Sequence, residues 1–206
     1  MSDELVLYTN PMSRGRVVRW MLEEVGAPYA TEILEFGTTM KAPAYLAINP
    51  LGKVPALRHG DTIVTESAAI CAYLADAFPA AGLAPPPGDP LRGPYYRWLF
   101  LAAGPMEQAE SFIELGIEVP PDKRLGIACG TMADMVATIE AALGEREYLV
   151  GDRFSAADLY VSLSLGAGMG SGIIEKRPVL VRYVKQLRSR PAAVRAREID
   201  AELERK

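Results

Sequence analysis

The residues best suited to chemistry fall in one stretch, residues 49–74, NPLGKVPALRHGDTIVTESAAICAYL. Glu66 and Ser67 open an apolar helix in which Ile70, Tyr73, Leu74 and Phe78 recur at helical spacing. Thr65 is the natural N-cap, which leaves the amides of Glu66, Ser67 and Ala68 unpaired and pointing outward. Such amides attract a carboxylate, helped by the helix macrodipole and the Ser67 hydroxyl, while Glu66 can hold an ammonium. Pro55 cannot donate to a strand ladder, so the strand over 53–58 is expected at an edge or an opening. An open edge offers one N–H and one C=O to an extended backbone. A carboxylate, an ammonium and an extended amide together describe a γ-glutamyl peptide. The same residues also read as an ordinary hairpin, turning at His59-Gly60-Asp61, followed by a capped helix.

The totals narrow the class. A chain of 206 residues, half of them apolar and 23% charged, is an ordinary soluble composition with length for one large or two small domains. A net charge of −4 favours neither nucleic acid nor an anionic membrane as partner. No apolar run approaches a membrane span, and Met1-Ser2-Asp3-Glu4 lacks the basic start of a signal peptide. Cys71 and Cys129 form no CxxC, and His59 has no partner histidine, so no metal is expected. These features describe a cytoplasmic globular protein. Cys71, among Ala and Ile in a helix, reads as a small core residue.

Around that stretch the elements follow a simple order. Residues 5–8 form an apolar strand, and a helix over 16–25 carries the stripe Val17, Val18, Met21, Leu22 and Val25, stopped by Gly26. A second strand over 29–34 is parallel to the first because a helix joins them. Residues 38–48 are weakly helical, and the hairpin and helix above complete a β-α-β-α-β-β-α unit. Residues 79–89 are a proline-rich linker, and everything beyond reads as helix. Gly104-Pro105 should kink or break its helix, and a long helix is expected over 122–143. Ser155 and Asp158 form a capping box, with Phe154 and Leu159 as its hydrophobic staple. The segment 166–172 is too glycine-rich for stable helix. The basic residues of two terminal helices, 179–190 and 192–204, read as a solvated face.

NPLGKVPAL followed by TESAAICAYLAD resembles the glutathione-binding segment of the cytosolic glutathione S-transferase superfamily, with Pro55 at its cis-proline. YLVGDRFSAADLYV resembles its C-terminal capping-box signature, and the closest likeness is to bacterial members. The resemblance covers essentially the whole chain. It implies an α/β plus all-α fold: a thioredoxin-like domain with a mixed four-stranded sheet over 1–78, the linker 79–89, and a helical bundle domain over 90–206. It also implies glutathione as co-substrate and a homodimer, with which the cluster Tyr95, Tyr96 and Trp98 is compatible. At matching positions, Val54 before Pro55 should pair its backbone with the cysteinyl part of glutathione. Glu66 and Ser67 should hold the γ-glutamyl end. Lys53 lies where some members contact the glycyl carboxylate, or else faces solvent.

The family places a Tyr, Ser or Cys donor between the first strand and first helix to stabilise the glutathione thiolate. Here that loop reads Thr9-Asn10-Pro11-Met12-Ser13-Arg14-Gly15. It contains no cysteine, so a mixed-disulfide mechanism is not expected. Ser13 is the natural catalytic candidate, with Asn10 and Arg14 as alternative donors, and Ser13 also reads as a helix N-cap. The electrophile pocket is expected between domains, with Pro11, Met12, Met106 and Met169 in its wall, since methionine makes an adaptable apolar lining. The reading that results is a glutathione transferase acting on a small, apolar electrophile. A non-catalytic ligand carrier or interaction protein of the same fold and a glutathione-dependent peroxidase remain as alternatives.

Overall fold

The computed structural model describes residues 4–205; residues 1–3, read above for a leader, and residue 206 lie outside them. The chain packs as two units, residues 1–84 with 189–206, and residues 85–188. The sequence division assigned 90–206 to the helical domain, but its last helix packs with the first unit.

In the first unit, β1 (Leu5–Thr9) leads into α1 (Gly15–Val25) and β2 (Tyr29–Ile33). Then come a turn at Thr39–Lys41, α2 (Pro43–Leu46), β3 (Ala56–His59), β4 (Thr62–Thr65) and α3 (Ser67–Ala77). Val17, Val18, Met21 and Leu22 bury the inner face of α1, and Gly26, at φ 74°, closes it with its N–H on the Leu22 carbonyl. The sheet order is β2-β1-β3-β4, with β1 parallel to β2 and the other pairs antiparallel. This is the expected mixed four-stranded sheet. The strand that follows Pro55 is an interior strand of the sheet, not an edge. Pro55 is tolerated because it precedes the first ladder residue, so its missing N–H interrupts no pair.

The last helix, α9 (Pro191–Glu204), lies antiparallel to α1. Arg16 pairs with Glu204, Arg19 with Asp200 at 2.6 Å, Glu23 with Arg195 at 3.1 Å, and Arg190, just before α9, with Glu24 at 2.7 Å. Along each partner the charges run basic, basic, acidic, acidic, so only an antiparallel approach sets opposite signs face to face. Arg19–Asp200 is the buried member, with side chains 1% and 7% exposed. Arg19 also donates to the Tyr29 hydroxyl and to Thr31 Oγ1, both at 3.2 Å. Of the basic residues read as a solvated face, Arg190 and Arg195 therefore belong to an inter-helix ladder.

The second unit is helical: α4 (Arg92–Leu101), α5 (Glu107–Glu114), α6 (Met132–Leu143), α7 (Ala156–Ser171) and α8 (Pro178–Arg188). Its centre is Asp158, fully buried. Asp158 Oδ2 accepts from the Ser155 amide at 3.0 Å and hydroxyl at 2.8 Å. Its Oδ1 accepts from the Leu149 amide at 2.7 Å and the Tyr183 hydroxyl at 2.8 Å. The expected capping box thus also ties down the preceding loop and α8. Burial pushes the Asp158 carboxyl above its ordinary value, against the four donors.

Three expectations for this unit change. Gly104-Pro105 does not end its helix: Ala102–Met106 widens into one π-helical turn, which accommodates the proline's missing donor. The long helix over 122–143 is short: Pro121–Gly126 is a 3-10 turn, and α6 begins after Thr131, whose side chain accepts from the Asp134 amide. The glycine-rich segment stays helical to Ser171. A Cβ on Gly168 would lie 2.5 Å from Ile174 Cδ1, whereas nothing lies within 4 Å of one on Gly170. Close packing of Ile174 therefore offsets the poor helix propensity of Gly168, and Gly170 is ordinary exposed helix.

These two glycines should respond with opposite sign. Gly170→Ala is expected to stabilise the protein by up to about 1 kcal/mol from helix propensity. Gly168→Ala is expected to cost about 1–3 kcal/mol from overpacking. Chemical denaturation of both variants measures the difference, and stabilisation by both would show that Ile174 yields freely.

Candidate functional site

The register of the sheet gathers the chemistry at one end. Tyr8 lies opposite Ala56, and Ala56 opposite Thr65, so one row crosses β1, β3 and β4. One residue beyond that row stand Thr9, the last residue of β1, then Pro55, then Glu66 at the mouth of α3. Residues distant in the chain become neighbours because each is the first residue past the antiparallel ladder of its strand.

The Val54–Pro55 peptide bond is cis, as the resemblance implied. Neither backbone group of Val54 has a hydrogen-bond partner among the described residues. The approach to it is firmly built. The Lys53 carbonyl accepts from the Tyr45 hydroxyl at 2.6 Å and from Asn49 Nδ2 at 2.8 Å. Burial pushes the Tyr45 phenol up to about 12, so it remains a donor. Gly52, at φ 56°, passes so near the chain that a Cβ there would meet the Met40 carbonyl at 2.7 Å. Lys41 donates to the Leu51 carbonyl at 2.9 Å. Lys53 itself is exposed.

At the helix mouth the cap shifts by one residue. Thr65 ends β4, and Glu66 is the N-cap at φ 69°, ψ 121°. This is the only positive φ at a non-glycine among the described residues, a conformation that costs about 1–3 kcal/mol and marks functional sites. The amides left without helical partners are therefore those of Ser67, Ala68 and Ala69. Ser67 is 7% exposed, and no described residue bonds its hydroxyl. Donors at a helix start that have no protein partner can take an acceptor from outside.

The β1–α1 loop is held by Asn10, which is 7% exposed. Its Nδ2 donates to the Leu34 carbonyl at 2.9 Å, and its Oδ1 accepts from the Met12 amide at 3.0 Å. Its carbonyl accepts from the Ser13 amide at 3.0 Å and the Ser13 hydroxyl at 2.6 Å. The Ser13 oxygen in turn accepts from the Gly15 amide at 3.0 Å. Ser13 is not the N-cap its reading expected, since that position falls to Arg14, but its oxygen still holds the Gly15 amide and its single proton is engaged with Asn10. Arg14 is exposed and is the N-cap residue of α1. Pro11 is buried, while Met12 is 76% exposed.

The remaining predicted residues lie elsewhere. In the second unit Met106 and Met169 are 2% and 8% exposed. Met106 lines a small cavity with Glu107, Glu110, Met132 and Ser164; Met169 is not among its lining residues. Tyr95 and Trp98 are core residues of α4, and the exposed aromatics there are Tyr96 and Phe100. His59 is half-buried, with Nδ1 2.9 Å from the Tyr73 hydroxyl and its ring stacked on Phe78. Among the described residues no cluster of His, Cys, Asp and Glu could hold a metal. Sequence reasoning missed Tyr45 as a support for Lys53. It saw Asn49 as a turn residue, without its second bond.

Residues 12–77 match the glutathione S-transferase N-terminal domain, and residues 127–191 the glutathione S-transferase C-terminal domain. A probable glutathione S-transferase of Oryza sativa subsp. japonica is 31% identical, over 84% of this chain and 86% of its own. A glutathione transferase from Methylococcus capsulatus str. Bath has a similar structure, with TM-score 0.80 and 30% identity over 96% of this chain and 98% of that one. A sphingomonad glutathione S-transferase complexed with glutathione gives TM-score 0.78 and 28% identity, over 95% and 98%.

The cysteines stand apart from this site. Both are buried and unbridged, and burial pushes the Cys71 thiol up to about 12. The thiolate is the reactive form, so at pH 8 Cys71 of the native protein should not react with a disulfide reagent. Both should react in denaturant. Rapid native labelling of Cys71 would contradict its enclosure.

Proposed function

The chain belongs to the glutathione S-transferase family, and we propose how its first unit binds glutathione and activates the sulfur. Its activity is the transfer of glutathione to an electrophile. The observation that carries the site reading is the pairing of unbonded groups: the Val54 backbone beside cis-Pro55, and the free amides of α3 with the Ser67 hydroxyl. From β1 to β4 the row spans two strand spacings, about 10 Å. An extended tripeptide reaches about 10–11 Å. The α-carboxylate of the γ-glutamyl residue lies at the α3 mouth, on the Ser67 and Ala68 amides, with its ammonium on Glu66. The cysteinyl amide exchanges hydrogen bonds with Val54, and the glycyl carboxylate lies toward Lys53.

This placement delivers the sulfur to the β1–α1 loop. A free thiol near pKa 8.5 is only a few per cent ionised at neutral pH, and lowering it by about two units requires roughly 2.7 kcal/mol. We assign that role to Ser13, whose proton turns from the Asn10 carbonyl to the thiolate. The exchange is favourable because a hydrogen bond to an ion is roughly twice as strong as a neutral one. The nearby N-terminus of α1 adds to it. The second proton of Asn10 Nδ2 and the Arg14 guanidinium are the reserve donors. The thiolate then gives its electron pair to an electrophilic carbon, forming the S–C bond as the leaving group departs with its own pair.

A small apolar electrophile fits the exposed Met12 beside Pro11. A homodimer is supported by the exposed Tyr96 and Phe100 on α4. Detoxification in the cytosol, where glutathione keeps thiols reduced, accords with two unbridged cysteines.

Two variants separate binding from activation. Glu66→Gln keeps the shape of the helix mouth and removes its charge, so glutathione should bind about tenfold more weakly, the equivalent of roughly 1.4 kcal/mol. Ser13→Ala should retain glutathione affinity while the bound thiol pKa rises toward that of the free thiol. Calorimetry and thiolate absorbance measure the two effects. An unchanged bound pKa in Ser13→Ala would transfer the role to Asn10 or Arg14.

A further inference from the structure

We propose that Arg16 and Glu204 position the thiol-activating loop, which makes the C-terminal helix a working part of the site. The inference rests on the assignment of sulfur activation to residues 10–14. Arg16 is the second residue of α1, where the macrodipole disfavours a cation. Its guanidinium is nevertheless doubly engaged. Nε donates to the Pro11 carbonyl at 2.5 Å, and Nη2 to the Glu204 carboxylate.

The Pro11–Met12 peptide is thereby held from both sides. Its C=O is fixed by Arg16, and its N–H by Asn10 Oδ1 at 3.0 Å. Asn10 in turn bonds the Leu34 carbonyl beyond β2, and its own carbonyl carries both Ser13 bonds. One continuous chain of contacts runs from Glu204 through Arg16, Pro11 and Asn10 to Ser13. The buried Arg19–Asp200 pair sets the register of α9, and Glu204 lies four residues on, on the same helix face as Asp200.

The Arg16–Glu204 pair is half-exposed, with side chains 50% and 35% accessible. Surface pairs of that kind contribute roughly 0–1 kcal/mol to stability, so its consequence is geometric. A donor displaced by a fraction of an ångström loses much of its effect on the reacting atom. Arg16 and Glu204 are positioning residues: Arg16 orients the loop, and Glu204 orients Arg16.

The test compares wild type with Arg16→Ala, Glu204→Gln and the charge-exchanged double variant Arg16→Glu/Glu204→Arg. Glu198→Gln, on the exposed face of α9, is the control. The readouts are the bound glutathione thiol pKa, the pH profile of kcat/KM with an aryl halide, and Tm. Arg16→Ala should raise the bound pKa by about half a unit or more and lower kcat/KM below neutral pH about threefold or more. Tm and the KM for glutathione should stay near wild type, and Glu198→Gln should change nothing. Glu204→Gln should move the same way by less. The double variant restores opposite charges but cannot donate to the Pro11 carbonyl, so it should remain impaired.

A wild-type pKa and pH profile in Arg16→Ala, or full recovery in the double variant, would overturn the inference alone. Wild-type protein that binds glutathione with an ordinary thiol pKa would overturn the activation reading and this inference together.

Discussion

The structure turns on where its strand ladders stop. β1, β3 and β4 share the row Tyr8, Ala56 and Thr65, and the chain then changes course in all three at once. Pro55 ends the ladder by having no N–H to give. Glu66 ends it by taking a φ of 69°, which turns the chain directly into α3. What the sheet leaves unbonded there is a strand-like segment at Val54 facing the amides of a helix start. Backbone polar groups must find partners, and a peptide with an α-carboxylate supplies them. Ligand recognition is thus a remainder of the fold's own hydrogen-bond accounting, with Tyr45, Asn49 and Gly52 fixing where the remainder lies.

Sulfur chemistry needs a second kind of order. The β1–α1 loop is shaped by hydrogen bonds converging on Asn10. Those bonds extend outward to the end of β2 and, through Arg16, to α9. The ladder of four charge pairs between α1 and the α9 region works against each helix's own dipole, since each begins basic and ends acidic. Antiparallel docking reverses that disadvantage, because every disfavoured charge meets its opposite. The buried Arg19–Asp200 pair carries the largest desolvation cost and the largest penalty for loss of one partner, which favours a single register over neighbouring ones.

Much of this was legible in the sequence where local physics decides. The stripe Val17, Val18, Met21 and Leu22 with Gly26 behind it specifies α1, and Ser155 with Asp158 specifies the start of α7. The helix mouth at residues 65–67 was found one residue out, because Thr65 is the better cap by type while β4 needs it for its last pair. Two misreadings lie in the second unit. Residues 166–171 look too glycine-rich for helix, but the reason for Gly168 is Ile174, reached across a turn. Residues 122–131 have helical composition and are held instead as a 3-10 turn and loop before the Thr131 cap. The basic residues of α9 looked like a solvated face because the helix alone gives no sign of its partner. The role of Asn10 as hub was visible as a candidate donor, but its bonds to Leu34 and Ser13 depend on those residues being brought to it.

The most direct measurement is a pH titration of thiolate absorbance for glutathione bound to the wild-type protein. The predicted result is saturable binding with the thiol pKa depressed about two units from roughly 8.5. Binding with an ordinary thiol pKa would contradict activation and leave a glutathione carrier. Absence of binding would contradict the site itself.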